Sequence, residues 1–145
     1  MAACTFFGHH DYQGDNEDIS VVLHDLICNK GVDTFYVGNQ GNFDSSVLWV
    51  LRLLKGEYVN FRYFVVLAYH PAINRYSEFI SSEETLLPEE IANVPARFGI
   101  SKRNEWMIKN SEYAVVFVRN SVGGAAKYKL PAEKRGLEVI NLYCG

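Results

Sequence analysis

Short apolar runs alternate along this chain with segments whose apolar residues recur at helical spacing, and this alternation restricts the fold more than any other feature. Residues 61–69 form an almost uninterrupted aromatic and β-branched block, which is typical of a central parallel strand covered on both faces of the sheet. Over residues 16–28, by contrast, apolar side chains such as Ile19, Leu23 and Leu26 share one face of a helix. We therefore predict a Rossmann-like α/β fold, in which an open, mainly parallel sheet carries helices on both faces.

The predicted elements follow from these runs and from the residues that separate them. Strands are expected over residues 4–8, 34–37, 61–69, 85–87, 114–118 and 137–143, and helices over 16–28, 43–54, 101–112 and 125–135. Asn42 or Asp44 is the expected N-cap of the second helix, and Ser101 is that of the third. The long connection over residues 70–99 is typical of a binding loop or a lid.

Composition limits the class of protein. A chain of 145 residues with 48% hydrophobic residues is expected to form one domain over residues 1–145. Its formal net charge of −3 makes nucleic acid a minority hypothesis, because sequence-independent binding to phosphates needs clustered Lys and Arg. Cys4, Cys28 and Cys144 are too scattered for a disulfide framework or a cysteine-rich zinc site, so we expect them in the core or in strands. No apolar stretch reaches bilayer length, which predicts a cytoplasmic protein without a membrane partner.

Two glycine-bearing turns, over residues 38–44 and 122–127, each follow a predicted strand and open a predicted helix. Backbone N–H groups and the positive end of a helix dipole meet at such turns, which favours a phosphate. The carboxyl end of the first strand should lie beside both turns, at the switch point of the sheet. The pattern predicts a nucleotide-type ligand. The candidate ligand-binding residues are Gly8, His9, His10, Asp11, Gly38, Gly41, Phe43, Asp44, Arg97, Arg103, Gly123, Gly124, Ala125 and Lys127.

Several of these residues have a plain structural alternative. One interpretation of His9 and His10 is that they orient a ribose or act as acid and base. The alternative is that they form a polar turn with a hydrogen bond to a neighbouring loop. Adjacent histidines in a turn do not favour a metal site. Asp44 either accepts from ribose hydroxyls or caps a helix. Arg97 and Arg103 are the main charged candidates, against the alternative of solvated surface arginines.

Four segments together resemble the single-domain members of the SLOG superfamily, named for its DNA-uptake and lonely-guy members. They are residues 6–10, 38–44, 95–108 and 123–127, in the order and at the spacing of that family. The resemblance covers nearly the whole chain and implies a Rossmann-like fold with a nucleotide or nucleotide-derived ligand. Relatives include phosphoribohydrolases, and sensor domains for ADP-ribose-like signals. Relatives also often pair through helices that flank the site, so the resemblance allows a homodimer.

The late turn departs from the pattern of the phosphoribohydrolases. Their turn reads Pro-Gly-Gly-x-Gly-Thr and is followed by paired glutamates, one of which works with an arginine that Arg103 matches here. In this chain Val122 replaces the proline, Lys127 replaces the threonine, and Lys129 stands where a glutamate should be. Cleavage of an N-glycosidic bond needs a carboxylate, whereas lysines favour an anion.

Three functions are therefore compatible with the sequence. The first is a binding module for a nucleotide or nucleotide-derived ligand, such as an ADP-ribose-type signal, with no cofactor and no metal. The second is a nucleotide N-glycoside hydrolase or ribosyltransferase that draws a carboxylate from Asp11, Asp44 or Glu78. The third is a protein-interaction domain that has lost its ligand. The altered late turn favours the first function over the second, and the retained glycines disfavour the third.

Overall fold

The computed structural model describes residues 2–72, 75–119 and 125–143. These residues contain six parallel strands and five α-helices. The strands are β1 (Ala2–Gly8), β2 (Val32–Val37), β3 (Arg62–Val66), β4 (Thr85–Leu86), β5 (Tyr113–Phe117) and β6 (Glu138–Asn141). The helices are α1 (Asn16–Asn29), α2 (Asn42–Lys55), α3 (Glu89–Ala92), α4 (Gly99–Lys109) and α5 (Ala126–Lys134). The predicted Rossmann-like α/β architecture is confirmed.

The strands lie in the order β4-β3-β2-β1-β5-β6, and every neighbouring pair is parallel. The chain thus builds outward from β1 to β4 and then returns to the other side of β1 with β5. In β1, Cys4 pairs with Phe35 on one side and with Tyr113 on the other. The order reverses at β1, and in open α/β sheets this is where a crevice forms beyond the carboxyl ends of the strands.

Two apolar cores cover the two faces of the sheet, because successive side chains of a strand point to opposite faces. Phe6 belongs to the core formed with α1 and α2, whereas Phe7 belongs to the core formed with α4 and α5. On the first face, α1 buries Ile19, Leu23 and Leu26, as its periodicity predicts. Asp15 begins this helix, and its side chain accepts from the backbone N–H of Glu17 at 2.9 Å.

The predicted caps of two helices are wrong. Gly41 is the N-cap of α2, which places Asn42 and Asp44 inside the helix. The helix α4 begins at Gly99, two residues before the expected cap Ser101, because a short 3-10 turn over Ala96–Phe98 leads directly into it. The prediction that Cys28 lies in the core or in a strand is also wrong, since this residue is exposed on α1.

A charged cluster anchors the long connection between β3 and α4. Glu84 accepts from Nε and Nη2 of Arg52 at 2.8 and 2.7 Å and from the hydroxyl of Tyr63 at 2.6 Å. The hydrogen bonds from Arg52 lower the pKa of Glu84 to about 2, against the opposing effect of partial burial. The connection is therefore held against α2 and β3 at this point.

Within the described residues, none of the helices is long and apolar enough to cross a bilayer.

Candidate functional site

A cleft of about 500 Å³ opens beyond the carboxyl end of β1, where the strand order reverses. Its walls come from the loop after β1, the turn between β2 and α2, one face of α4 and the start of α5. The lining residues are Phe6, Phe7, Gly8, His9, His10, Asp11, Gln40, Asp44, Ile100, Arg103, Asn104, Met107, Ala125, Lys127 and Tyr128. Ligand cavities of small-molecule sites typically have volumes of roughly 300–1,000 Å³.

The loop after β1 is tied to the segment that follows β5. His9 is buried, and its Nε2 accepts from the backbone N–H of Arg119 at 2.7 Å. The ring therefore carries its proton on Nδ1 in this arrangement. Arg119 in turn donates from Nη2 to Asp11 at 2.9 Å, and this hydrogen bond, with the charge of the guanidinium, lowers the pKa of Asp11. These contacts fix His9 as a link between the two strand ends at the switch point.

The turn between β2 and α2 packs closely on the same loop. Asn42 donates its backbone N–H to the carbonyl oxygen of His10 at 2.8 Å. Gly41 has a φ of 93°, and a Cβ there would lie 2.8 Å from the Cα of His10. A Cβ on Gly8 would lie 2.0 Å from the ring of Phe43. Both glycines thus allow close contact between segments of the protein itself.

Asp44 lies in the cleft wall with an uncommon electrostatic environment for a carboxylate. Its side chain is almost fully buried, and its Oδ2 accepts from the backbone N–H of Gln40 at 2.9 Å. Burial raises the pKa of Asp44 to about 6, although the charge of Arg103, the hydrogen bond from Gln40 and the charge of His10 act in the opposite direction. Asp44 therefore changes charge near neutral pH.

Arg103 reaches the cleft from α4 and is only 3% exposed. Its Nε donates to Asn104 and its Nη1 donates to Asn39, both at 3.1 Å. Burial lowers the pKa of Arg103, and the nearby charge of Asp44 is the largest opposing effect. The ion pairs within 4.0 Å among the described residues do not include Arg103. Its guanidinium is thus a buried cation held by two amide oxygens.

Gly38 lies close to both charged groups. A Cβ at this position would lie 2.9 Å from Oδ2 of Asp44 and 3.0 Å from Cζ of Arg103. Any side chain here would push the carboxylate and the guanidinium away from their positions. The role of Gly38 is therefore to leave room for this pair beside the cleft.

Eight of the predicted site residues line the cleft. They are Gly8, His9, His10, Asp11, Asp44, Arg103, Ala125 and Lys127. Gly38 and Gly41 lie behind its wall, against protein neighbours. Gly123 and Gly124 lie outside the described residues, so the phosphate contact expected of the late turn stays a prediction.

Phe43 and Arg97 are two further predicted residues that do not line the cleft. Phe43 is fully buried in the core, where its ring packs edge-on against Tyr12 with centroids 5.1 Å apart. Arg97 is exposed on the 3-10 turn before α4, with its guanidinium 4.7 Å from the ring centroid of Phe98. Glu78, one of the candidate carboxylates, lines a separate cavity in the long connection.

Several lining residues are not among the predicted site residues. Asn104 and Tyr128 are direct neighbours of predicted residues, and helical spacing could have placed Ile100 and Met107 on the face of Arg103. Tyr128 also stacks on Phe7, with centroids 5.5 Å apart, and forms part of the cleft wall. Nothing in the local sequence distinguishes these positions from ordinary core residues.

In the part of the chain that the structure describes, no three His, Cys, Asp or Glu side chains are grouped so that they could hold a metal ion. The chain matches no protein-family model, and comparison with curated proteins gives no significant match.

Proposed function

We propose that the cleft binds a nucleotide or a nucleotide-derived molecule through its phosphate, and that the protein captures this ligand without transforming it. The observation that carries the proposal is Arg103, a buried guanidinium in the cleft wall with no carboxylate within 4.0 Å among the described residues. A buried cation without an ion pair is costly, and a bound phosphate would offset that cost with charge-assisted hydrogen bonds.

The other polar residues of the cleft suit the remainder of such a ligand. Lys127 adds a second, exposed cation at the start of α5. Asp44 is a hydrogen-bond acceptor in the cleft wall, and it can accept from the hydroxyls of a ribose. A cation for phosphate and a carboxylate for hydroxyls together favour a phosphorylated sugar over a simple anion.

The resemblance of four segments to the SLOG superfamily supports the same proposal. We accordingly propose that the chain is a SLOG-type protein and that ADP-ribose-type signals are among its candidate ligands. The late turn, without the paired glutamates of the phosphoribohydrolases, supports capture over cleavage.

Ligand-observed NMR tests the proposal directly. The purified protein is mixed with nucleoside monophosphates, NAD, ADP-ribose and cyclic ADP-ribose isomers, and saturation transfer identifies any compound that binds. Arg103→Gln should then weaken the affinity for that compound by roughly 10- to 100-fold, the value of a hydrogen bond to a charged group.

Two further variants make this result specific. Arg97→Gln, the same change outside the cleft, should leave the affinity unchanged. Lys127→Gln alters only an exposed side chain and should weaken binding several-fold while the circular dichroism spectrum stays native. Binding that is insensitive to both Arg103→Gln and Lys127→Gln would disprove the placement of the phosphate.

A second candidate function is hydrolysis of an N-glycosidic bond, which the position of Asp44 favours. Of the three candidate carboxylates, Asp44 is buried in the cleft, Asp11 is paired with Arg119, and Glu78 lies elsewhere. An ionised Asp44 could take a proton from water as the water oxygen bonds to the anomeric carbon. The bond between that carbon and the nucleobase nitrogen then breaks, and the nucleobase leaves with the electron pair and takes up the proton from Asp44. Accumulation of free base and ribose phosphate over hours, abolished by Asp44→Asn, would establish this activity in place of simple capture.

A further inference from the structure

A second groove lies between α4 and α5, away from the cleft. Its volume is about 500 Å³, and its apolar part is formed by Trp106, Ile108 and Pro131. Trp106 is half-buried, packs edge-on against Tyr36 with centroids 5.0 Å apart, and donates its indole N–H to Glu90 at 3.2 Å. Ile108 is buried and Pro131 is exposed. The groove thus presents a partly exposed aromatic ring that is held in place on two sides.

Basic side chains surround this apolar part. Lys102, Lys109, Lys134 and Arg135 all line the groove and are all exposed. None of the four takes part in the ion pairs found among the described residues. The groove contains two carboxylates, Glu90 and Glu105, so positive charge prevails there although the whole chain has a formal net charge of −3.

We propose that the groove between α4 and α5 is a docking site for an acidic segment of a partner protein that carries apolar anchor residues. Protein interfaces combine a desolvated apolar centre, often with Trp, with a charged and solvated rim. The groove has both parts, and the sign of its rim selects a negatively charged partner. The apolar centre distinguishes this surface from one that only neutralises phosphates.

The two tryptophans of the chain make the test selective. Trp49 is 52% exposed on α2, on the opposite face of the sheet, so Trp49→Phe leaves Trp106 as the sole indole fluorophore. The probe is a helical peptide of about 20 residues with leucine at the a and d positions and glutamate elsewhere. Binding should shift the emission of Trp106 to shorter wavelength in a saturable manner and should weaken as salt is added.

A matched pair of charge reversals locates the binding. Lys134→Glu should weaken the affinity for the peptide about fivefold to tenfold, whereas Lys30→Glu, the same change at the end of α1 on the opposite face, should leave it within twofold. Both side chains are exposed, so both variants should retain the native circular dichroism spectrum.

Three results would overturn the proposal. One is the absence of a saturable shift, a second is equal weakening by Lys134→Glu and Lys30→Glu, and the third is an equal or tighter response to a duplex DNA or to the same peptide with lysine in place of glutamate. The test uses no ligand of the cleft, so its outcome is independent of the proposed function.

Discussion

Asp44 should destabilise the folded protein at neutral pH, and Asp44→Asn should therefore stabilise it. Burial raises the pKa of Asp44 from 3.8 to about 6. The unfolded chain consequently loses this proton at lower pH than the folded chain does. The stabilising effect of the protonated form is fully present below pH 3.8 and is lost as the pH rises through about 6.

The size of the effect follows from the shift. A difference of one pKa unit corresponds to about 1.4 kcal/mol, so the ionised carboxylate lowers the free energy of unfolding by roughly 3 kcal/mol above pH 6. Asparagine does not ionise, and its side-chain oxygen can still accept from the backbone N–H of Gln40. Asp44→Asn should thus raise the free energy of unfolding by about 3 kcal/mol at pH 8 and by close to zero at pH 4.

Urea denaturation followed by circular dichroism at pH 4, 6 and 8 measures this difference. Glu84 also titrates at acidic pH, but it is present in both proteins and its contribution cancels. A difference in unfolding free energy that stays constant across the three pH values would refute the argument, as would a variant that is less stable at pH 8. A carboxylate that costs stability at neutral pH is expected where function needs it, and Asp44 lines the cleft.

Two further predictions concern the stability contributed by Glu84 and by the glycines Gly8 and Gly38. Glu84→Gln should destabilise the protein by about 2 kcal/mol at pH 7, after allowance for the partly exposed Arg52. Because the pKa of Glu84 is lowered from 4.5 to about 2, this loss of stability should decrease as the pH falls through that interval, and a smaller loss at pH 3 than at pH 7 in urea titrations checks it. Gly8→Ala should cost roughly 1–3 kcal/mol, because its Cβ would overlap the buried ring of Phe43, whereas Gly38→Ala should cost less, because only side-chain ends must move. Thermal melts compare the two variants, and a larger loss for Gly38→Ala would contradict this reasoning.

Much of the fold could be predicted because each element carries its own local signal. The helix α1 has its apolar residues at Ile19, Leu23 and Leu26, and all three are buried. The helix ends were harder to predict, because a cap depends on the backbone that enters the helix. Gly41, at a positive φ, begins α2 in place of the polar residues Asn42 and Asp44 that the sequence favoured as caps. The strand over residues 61–69 was expected at the centre of the sheet, but β3 lies second from the edge.

The site was predictable to the extent that it depends on strand ends. Loops after parallel strands meet at one edge of the sheet, so His9, Asp44 and Lys127 were expected together, and all three line the cleft. The predictions for Phe43 and Arg97 were wrong, because a position next to a site residue in the sequence does not decide where a side chain points. The ring of Phe43 points into the core, and Arg97 lies on a turn outside the cleft.

The alternation of strands and helices can be read from local sequence, because the period of apolar residues differs between a strand and a helix. Long-range packing, in contrast, sets the strand order and therefore which loops meet at the switch point. It also decided the electrostatics of the cleft: Asp44 and Arg103 are far apart in the chain, yet they approach the same glycine, Gly38, in a buried environment. The pKa of about 6 at Asp44 arises from that burial, which long-range packing creates and no local pattern contains.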